Sequence, residues 1–216
     1  MDRAERIAAI RAHIRPSAPP LCPELRLYLA DGVLGIWEAL ERIEKRELDP
    51  PFWAFAWPGG QALARYALDS AEAFRGKRVL DFASGGGVSA LACARVGARV
   101  TAAEIDPWAA AACALNAAEA GLALEVREGD LVGTDEGWEI VLAGDVCYRQ
   151  APSARIEAWL RALARRGARV LLGDPGRTFT PTRGLRELAR YQVETSLDVE
   201  GVTSRAPAVW EVLSDL

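Results

Sequence analysis

Between residues 78 and 174 the chain alternates short apolar runs with segments of helical character, and few folds accept that rhythm. The runs are RVLDF (78–82), ARVTAAE (98–104), LALEVRE (122–128), WEIVLAGD (138–145) and ARVLLGD (168–174). Between them lie a small-residue helix over 86–96 ending at Gly97, a second opened by Asp106-Pro107 and running to about Ala120, and a third over 151–166. Proline suits the first turn of a helix, where its missing N–H costs nothing. Strands that are apolar throughout and alternate with helices build βαβ units, in which a parallel sheet is covered on both faces. The expected class is therefore α/β and Rossmann-like.

After Gly184 the rhythm changes. A helix candidate (182–190) leads to YQVETSLDV (191–199) and, a few residues later, PAVWEVL (207–213). The connection is too short for a crossover helix, so these two runs should form a terminal antiparallel hairpin and complete a seven-strand sheet. Upstream come a helix over 2–14, a Pro-rich passage (16–23), the apolar ELRLYLA (24–30), a helix near 35–46 and PPFWAFAWPGG. At 216 residues the chain fits one domain with an appendage, read as an extension over 1–60 that packs over the site and a main domain over 61–216.

Half of the residues are hydrophobic (50%), enough for a sizeable core, yet the strongest apolar stretches, 138–147 and 168–173, fall short of the ~20 residues that span a bilayer. The amphipathic first residues lack the apolar run of a signal peptide, and a cytoplasmic, membrane-free protein is expected. Cys22, Cys93, Cys113 and Cys147 show no CxxC pairing and read as buried thiols; with a single histidine, His13, no metal site and no Ser-His-Asp hydrolase is expected. The net charge of −4 is concentrated in the middle, where residues 51–150 hold 8 bases and 13 acids. The dense basic cluster, Arg161, Arg165, Arg166 and Arg169, has the spacing of a solvated helix face and end, so no nucleic-acid partner is expected.

The segment VLDFASGGGVSA (79–90) carries the chemistry. Its glycines follow a strand and precede a helix, so the backbone can turn tightly and approach a nucleotide-like ligand. Gly85-x-Gly87-x-x-Ala90 also satisfies the looser dinucleotide pattern. Asp81 separates the two readings: a carboxylate there repels a pyrophosphate but can pair with the amino group of a methionine moiety. The turn residues Asp81, Ala83, Ser84, Gly85 and Gly87 therefore favour S-adenosyl-L-methionine, and Glu104, at the end of the next strand, is placed to accept both ribose hydroxyls.

DFASGGG (81–87), AEIDP (103–107), GDL (129–131) and GDVCY (144–148) resemble the seven-strand S-adenosylmethionine-dependent methyltransferases. More narrowly, PPFWAFAWPGGQALARY (50–66), the D-x-x-Y of 145–148 and GDPGR (173–177) look like the lysine methyltransferases that act on the electron transfer flavoprotein beta subunit, and their bacterial relatives. One departure is Ala83, where many relatives have glycine; a slightly tighter fit is expected. The resemblance implies that Trp57 lies beside the cofactor, with cation–π attraction to the sulfonium. It also implies that Glu104 holds the ribose, that Asp130 and Leu131 flank the adenine, and that Gly144 packs near the methionine portion.

In a parallel sheet the ligand crevice lies beyond the carboxyl ends of the strands, where Asp81, Glu104, Asp145 and Asp174 all fall. Asp145 and Tyr148 are the catalytic candidates, since a tight turn can aim both at the reacting methyl. Methyl transfer to an amine needs positioning and desolvation more than a strong acid, so the scarcity of histidine is no handicap. Val146-Cys147 stands where amide and nucleobase N-methyltransferases carry two prolines. Asp174-Pro175-Gly176-Arg177 reads as a rim loop, with Arg177 available to an acidic partner surface, or equally as a structural turn. The implied activity is protein-lysine N-methylation of the electron transfer flavoprotein beta subunit, with a ribosomal stalk protein as a further target. The alternatives are a small-amine (nicotinamide-like) N-methyltransferase and a non-catalytic nucleotide-binding module.

Overall fold

The computed structural model describes residues 1–214. The chain opens with helix α1 (Arg3–His13), the strands β1 (Arg15–Ser17) and β2 (Leu27–Leu29) paired as a short antiparallel ribbon, and helix α2 (Val33–Glu44). Asp2 and Glu5 form a reciprocal capping box at the start of α1. A single 3-10 turn (Phe52–Ala54) leads to α3 (Pro58–Asp69) and the short α4 (Ala71–Phe74). There follow β3 (Arg78–Phe82), α5 (Val88–Arg95), β4 (Arg99–Glu104), α6 (Pro107–Glu119), β5 (Glu125–Glu128), β6 (Ile140–Gly144), α7 (Gln150–Arg166) and β7 (Arg169–Asp174). The last part holds β8 (Leu185–Arg190), β9 (Val193–Glu194), α8 (Leu197–Glu200), β10 (Ser204–Arg205) and β11 (Ala208–Val212).

The main sheet has seven strands in the order β5-β4-β3-β6-β7-β11-β8. The first five are parallel, and β11 runs antiparallel to both of its neighbours. Neighbouring residues of the central strands feed opposite faces. Val79, Leu142 and Leu171 join the core beneath α3 and α5, whereas Leu80, Val141 and Leu172 join the core beneath α7. That division makes these strands apolar at every position instead of at alternate ones. A third core joins the amino-terminal segment to α6 through Ile10, Ile14, Ile36, Leu40, Trp53 and Trp108. Among the described residues no helix is long and apolar enough to cross a membrane. All four cysteines are buried and free.

The structure corrects the sequence reading near the carboxyl end. Residues 185–190, expected as part of a helix, form the edge strand β8, which pairs with β11. YQVETSLDV is not the penultimate strand of the sheet: only Val193–Glu194 is extended, paired with Ser204–Arg205 in a separate ribbon, and Leu197–Glu200 is helical. The basic cluster is a solvated face only in part. Arg165 and Arg166 are exposed at the end of α7, Arg166 gripping Asp135 and the Trp138 carbonyl, whereas Arg161 is buried against Glu157 and the carbonyls of Arg183 and Gly184, and half-buried Arg169 reaches Tyr66 Oη at 2.7 Å.

Helix α3 crosses the ends of β6 and β7 with no side chain between the backbones. A Cβ on Gly59 would lie 2.2 Å from the Gly173 carbonyl oxygen, and one on Gly173 would lie 2.3 Å from that of Gly59. Forcing a methyl group into such a contact costs about 1–3 kcal/mol. Gly59→Ala is expected to lower unfolding stability by that amount in denaturant titrations, while alanine at Gly35, a helical position with open space around it, leaves the midpoint unchanged or raises it.

Candidate active site

The carboxylates at the strand ends serve the backbone first. Helix α5 begins at Gly87, which has no capping side chain, and the amide of its third residue, Ala90, donates to Asp81 Oδ2 at 2.9 Å. Helix α3 has the same need behind Trp57, and its third amide, Gly60, donates to Asp145 Oδ2 at 2.8 Å. Helix N-termini leave amides unpaired, and an anion there also meets the positive end of the helix dipole. Glu104 accepts from the amides of Gly85 (2.9 Å) and Ile105 (2.8 Å), which ties the glycine turn to the end of β4. Asp174 Oδ1 accepts from the Gly176 and Arg177 amides, each at 2.7 Å, and from Thr180 Oγ1, and so folds the loop after β7.

The turn after β3 is left-handed at Ala83 (φ 54), Gly85 (φ 53) and Gly87 (φ 87). An L-residue in that region costs roughly 1–2 kcal/mol. The departure at Ala83 therefore acts through backbone strain, beyond the tighter fit expected from its side-chain size. At Gly87 a Cβ would also meet Cys113 Sγ at 2.6 Å, so glycine is required there twice over. Asp145 has positive φ as well (54), a conformation aspartate tolerates better than most residues.

Above the turn and beneath the amino-terminal segment lies a cleft of ≈ 460 Å³ measured out to solvent. Leu27, Leu29, Phe55, Ala56 and Trp57 form one wall. Asp81, Ala83, Ser84, Gly85, Gly86, Val88 and Ser89 form the opposite wall, and Gly60, Gly144 and Asp145 close the end. Burial pushes Asp81 up to about 7, offset in part by its bond from Ala90 and reinforced by nearby Glu104. Burial likewise pushes Asp145 up to about 7, opposed by the Arg177 guanidinium and reinforced by Asp174. Glu104 is also raised, chiefly by burial. Two carboxyls poised near neutrality in one cleft mark it as the candidate site.

No family model matches the chain. The electron transfer flavoprotein beta subunit lysine methyltransferase of Danio rerio is 37% identical over 198 residues, covering 88% of this chain and 76% of the relative. The Xenopus laevis protein of the same name is 36% identical over 212 residues, covering 93% and 84%. The chain belongs to the family of electron transfer flavoprotein beta subunit lysine methyltransferases. In fold it is similar to a Pyrococcus horikoshii protein provisionally named as an RNA methyltransferase, with a TM-score of 0.56 at 17% identity, covering 76% of this chain and 90% of that one.

The methyl donor in this family is S-adenosyl-L-methionine, and the cleft fits it on two observations. Ser84 Oγ, in the turn, is buried without a hydrogen-bond partner among the described residues, and the turn itself, Ala83 to Gly86, lines the cleft wall with little side chain above its backbone. Of the residues singled out from the sequence, Trp57, Asp81, Ala83, Ser84, Gly85, Gly144 and Asp145 line the cleft. Glu104 borders it through Gly85, and Gly87 lies behind it against Cys113. Asp130 and Leu131 are not brought into it. Asp130 is exposed, accepts from the Val132 amide and pairs with Arg155 at 2.6 Å, while Leu131 packs on the core beneath α7.

Tyr148 is not beside the Asp145 carboxylate. It is 55% exposed at the rim, its ring 6.5 Å from that of Phe52, which in turn meets Trp57 at 5.8 Å. Arg177 does not face a partner surface but turns inward: its guanidinium lies 5.6 Å over the Trp57 ring and donates to Asp145 Oδ1 at 3.2 Å and to Glu200 Oε1 at 2.8 Å. Sequence reasoning missed Leu27 and Leu29 as cleft residues, as well as Glu200; the apolar alternation in ELRLYLA was the one signal for the former pair.

If Asp81 pairs with the ammonium of the cofactor, its ionised form is the one that binds. The folded value near 7 lies above the ordinary 3.8, so protonation of this group favours the folded chain and is lost as pH rises through 7, while ligand binding gains. Affinity for S-adenosylhomocysteine, measured by calorimetry, is expected to drop several-fold from pH 7.5 to 6.0. In Asp81→Asn it should be weaker and nearly flat over the same range.

Proposed function

We propose that this chain transfers methyl groups from S-adenosyl-L-methionine to a lysine amine of the electron transfer flavoprotein beta subunit, the acceptor named for its relatives. The observation that carries the reading is the buried Asp145 carboxylate, set at the end of the same cleft as the glycine turn. When bound, the cofactor supplies an electrophilic methyl group on a positively charged sulfur.

The residues of the chain divide the remaining work. Asp81 and the amides of the turn hold the methionine end, Glu104 accepts from the ribose hydroxyls, and Gly144, packed against the backbone of Gly60, leaves room beside the methionine portion. Trp57 offers an aromatic face to the sulfonium, and the rings of Phe52 and Tyr148 continue that wall outward along the path of an acceptor side chain. A lysine, ordinarily protonated up to about pH 10.4, sheds its proton more readily when desolvated between these rings and next to a cation. An ionised Asp145 at the end of the cleft would stabilise positive charge on an acceptor nitrogen placed beside it.

Incubation of the purified subunit with the chain and cofactor, followed by intact-mass analysis, should give methyl-sized mass steps on the subunit. Transfer confined to a ribosomal stalk protein or to nicotinamide-like amines would replace this acceptor. Asp145→Asn keeps an oxygen for the Gly60 amide and removes the charge. Its cofactor affinity should change little and its thermal midpoint should fall, because the amide nitrogen that replaces Oδ1 faces the Arg177 guanidinium, while single-turnover methylation falls on the order of 10²-fold. Tyr148→Phe, which loses only a rim hydroxyl, should fall far less.

A further inference from the structure

Arg177 has no assigned part in methyl transfer, yet its surroundings are built with care. It leaves the loop after β7, which Asp174 folds through three hydrogen bonds to Oδ1. Its Nη2 bridges Asp145 Oδ1 (3.2 Å) and Glu200 Oε1 (2.8 Å), and its flat face lies on Trp57. Glu200, only 3% exposed at the end of α8, is held from its other side by Arg205 Nε at 2.9 Å, and Arg205 also donates to the Glu200 backbone carbonyl. The chain thus commits α8 and the β9–β10 ribbon, a small excursion between β8 and β11, to fixing one guanidinium against one carboxylate. A bridging arginine that also stacks loses little freedom on forming such contacts.

Resting on the proposed function, which makes Asp145 the group beside the acceptor amine, we propose that Arg177 is a positioning residue: gripped by Glu200 and stacked on Trp57, it keeps the Asp145 carboxylate ionised and fixed at the end of the cleft. The charges facing Asp145 are Arg177 and Asp174 from the loop side and the amino-terminal amides of α3 from below; behind Arg177 stand Glu200 of α8 and Arg205 of β10. Cys147 is the other titratable neighbour, its thiol pushed up to about 12 by burial, and it stays neutral. With its carboxylates ionised, this group holds three negative charges against two positive ones. Removing Arg177 leaves three against one, a balance that relaxes by protonating the buried Asp145. A neutral Asp145 cannot stabilise charge arriving on nitrogen. Burial already raises Asp145 to about 7 with Arg177 in place, so a small further rise crosses the working range.

The test reads Asp145 directly. Carboxyl NMR titration of the ¹³C-aspartate-labelled chain without cofactor, with the Asp145 signal assigned by its absence in Asp145→Asn, should place its midpoint at least one pH unit higher in Arg177→Met than in the unaltered chain. Arg177→Lys should restore most of the difference. The acid limb of the single-turnover pH profile should move alkaline by a similar amount, with S-adenosylhomocysteine affinity within about twofold. If Arg177→Met unfolds, Arg177→Gln, which also removes the positive charge but can still hydrogen-bond Glu200, should move the midpoint in the same direction. An unmoved Asp145 midpoint in the folded variants overturns the proposal whatever the activity. A faster rate in Arg177→Met also overturns it, by marking the guanidinium as a plug that the substrate must displace. An unaltered chain that methylates no protein lysine, while Asp145 still shifts on loss of Arg177, refutes the proposed function and leaves the role of Arg177 in holding the carboxylate intact.

Discussion

The contact on which the site depends is backbone against backbone. Helix α3 rests on β6 and β7 through Gly59, Gly60, Gly144 and Gly173, with no side chain between. The closeness brings the first amides of α3 within reach of Asp145, so one carboxylate closes the helix and faces the cleft at the same time. It also sets Trp57, the residue just before α3, over the loop that carries Arg177. Asp81 repeats the arrangement at α5. Each acid thus sits where a helix dipole favours its ionised form while burial opposes it, and that opposition holds both near neutrality.

Because the same oxygens serve fold and chemistry, the two contributions separate only by substitutions that keep an acceptor and remove the charge. Alanine at Asp81 or Asp145 would leave a helix amide unpaired in a buried place, a loss of about 1–3 kcal/mol unrelated to catalysis. Glu104 is in a similar position, since it braces the turn through Gly85.

The central parallel strands were legible in the sequence because both of their faces are buried, which leaves unbroken runs such as VLDF and VLLGD, whereas the edge strand β5, with no buried residue, was legible only from its place in the alternation. The edge strand β8 was not. Leu185–Arg190 is rich in leucine, arginine, glutamate and alanine, all good helix formers, and only its pairing with β11 overrides that preference. Acids at strand ends could be picked out locally, as could the glycine turn. That Asp145 caps a helix earlier in the chain could not, because Gly60 and Asp145 are 85 residues apart. The buried role of Arg161 escaped for the same reason: helical spacing shows a row of charges but not the carbonyls at 183 and 184 waiting across the gap. Arg177 and Glu200 lie 23 residues apart on irregular segments, and no periodicity links them.

The place of β11 in the sheet has a consequence for how the chain is made. β11 inserts between β7 and β8, so β8, which has no other neighbour in the main sheet, stays unpaired until residues 208–212 have emerged from the ribosome. The loop bearing Arg177 and the excursion bearing Glu200 flank β8 in the chain and share its delay. During synthesis the nucleotide cradle at 81–87 can therefore assemble well before the charged end of the cleft does. A nascent chain would be able to bind a ligand before it can carry out chemistry on one.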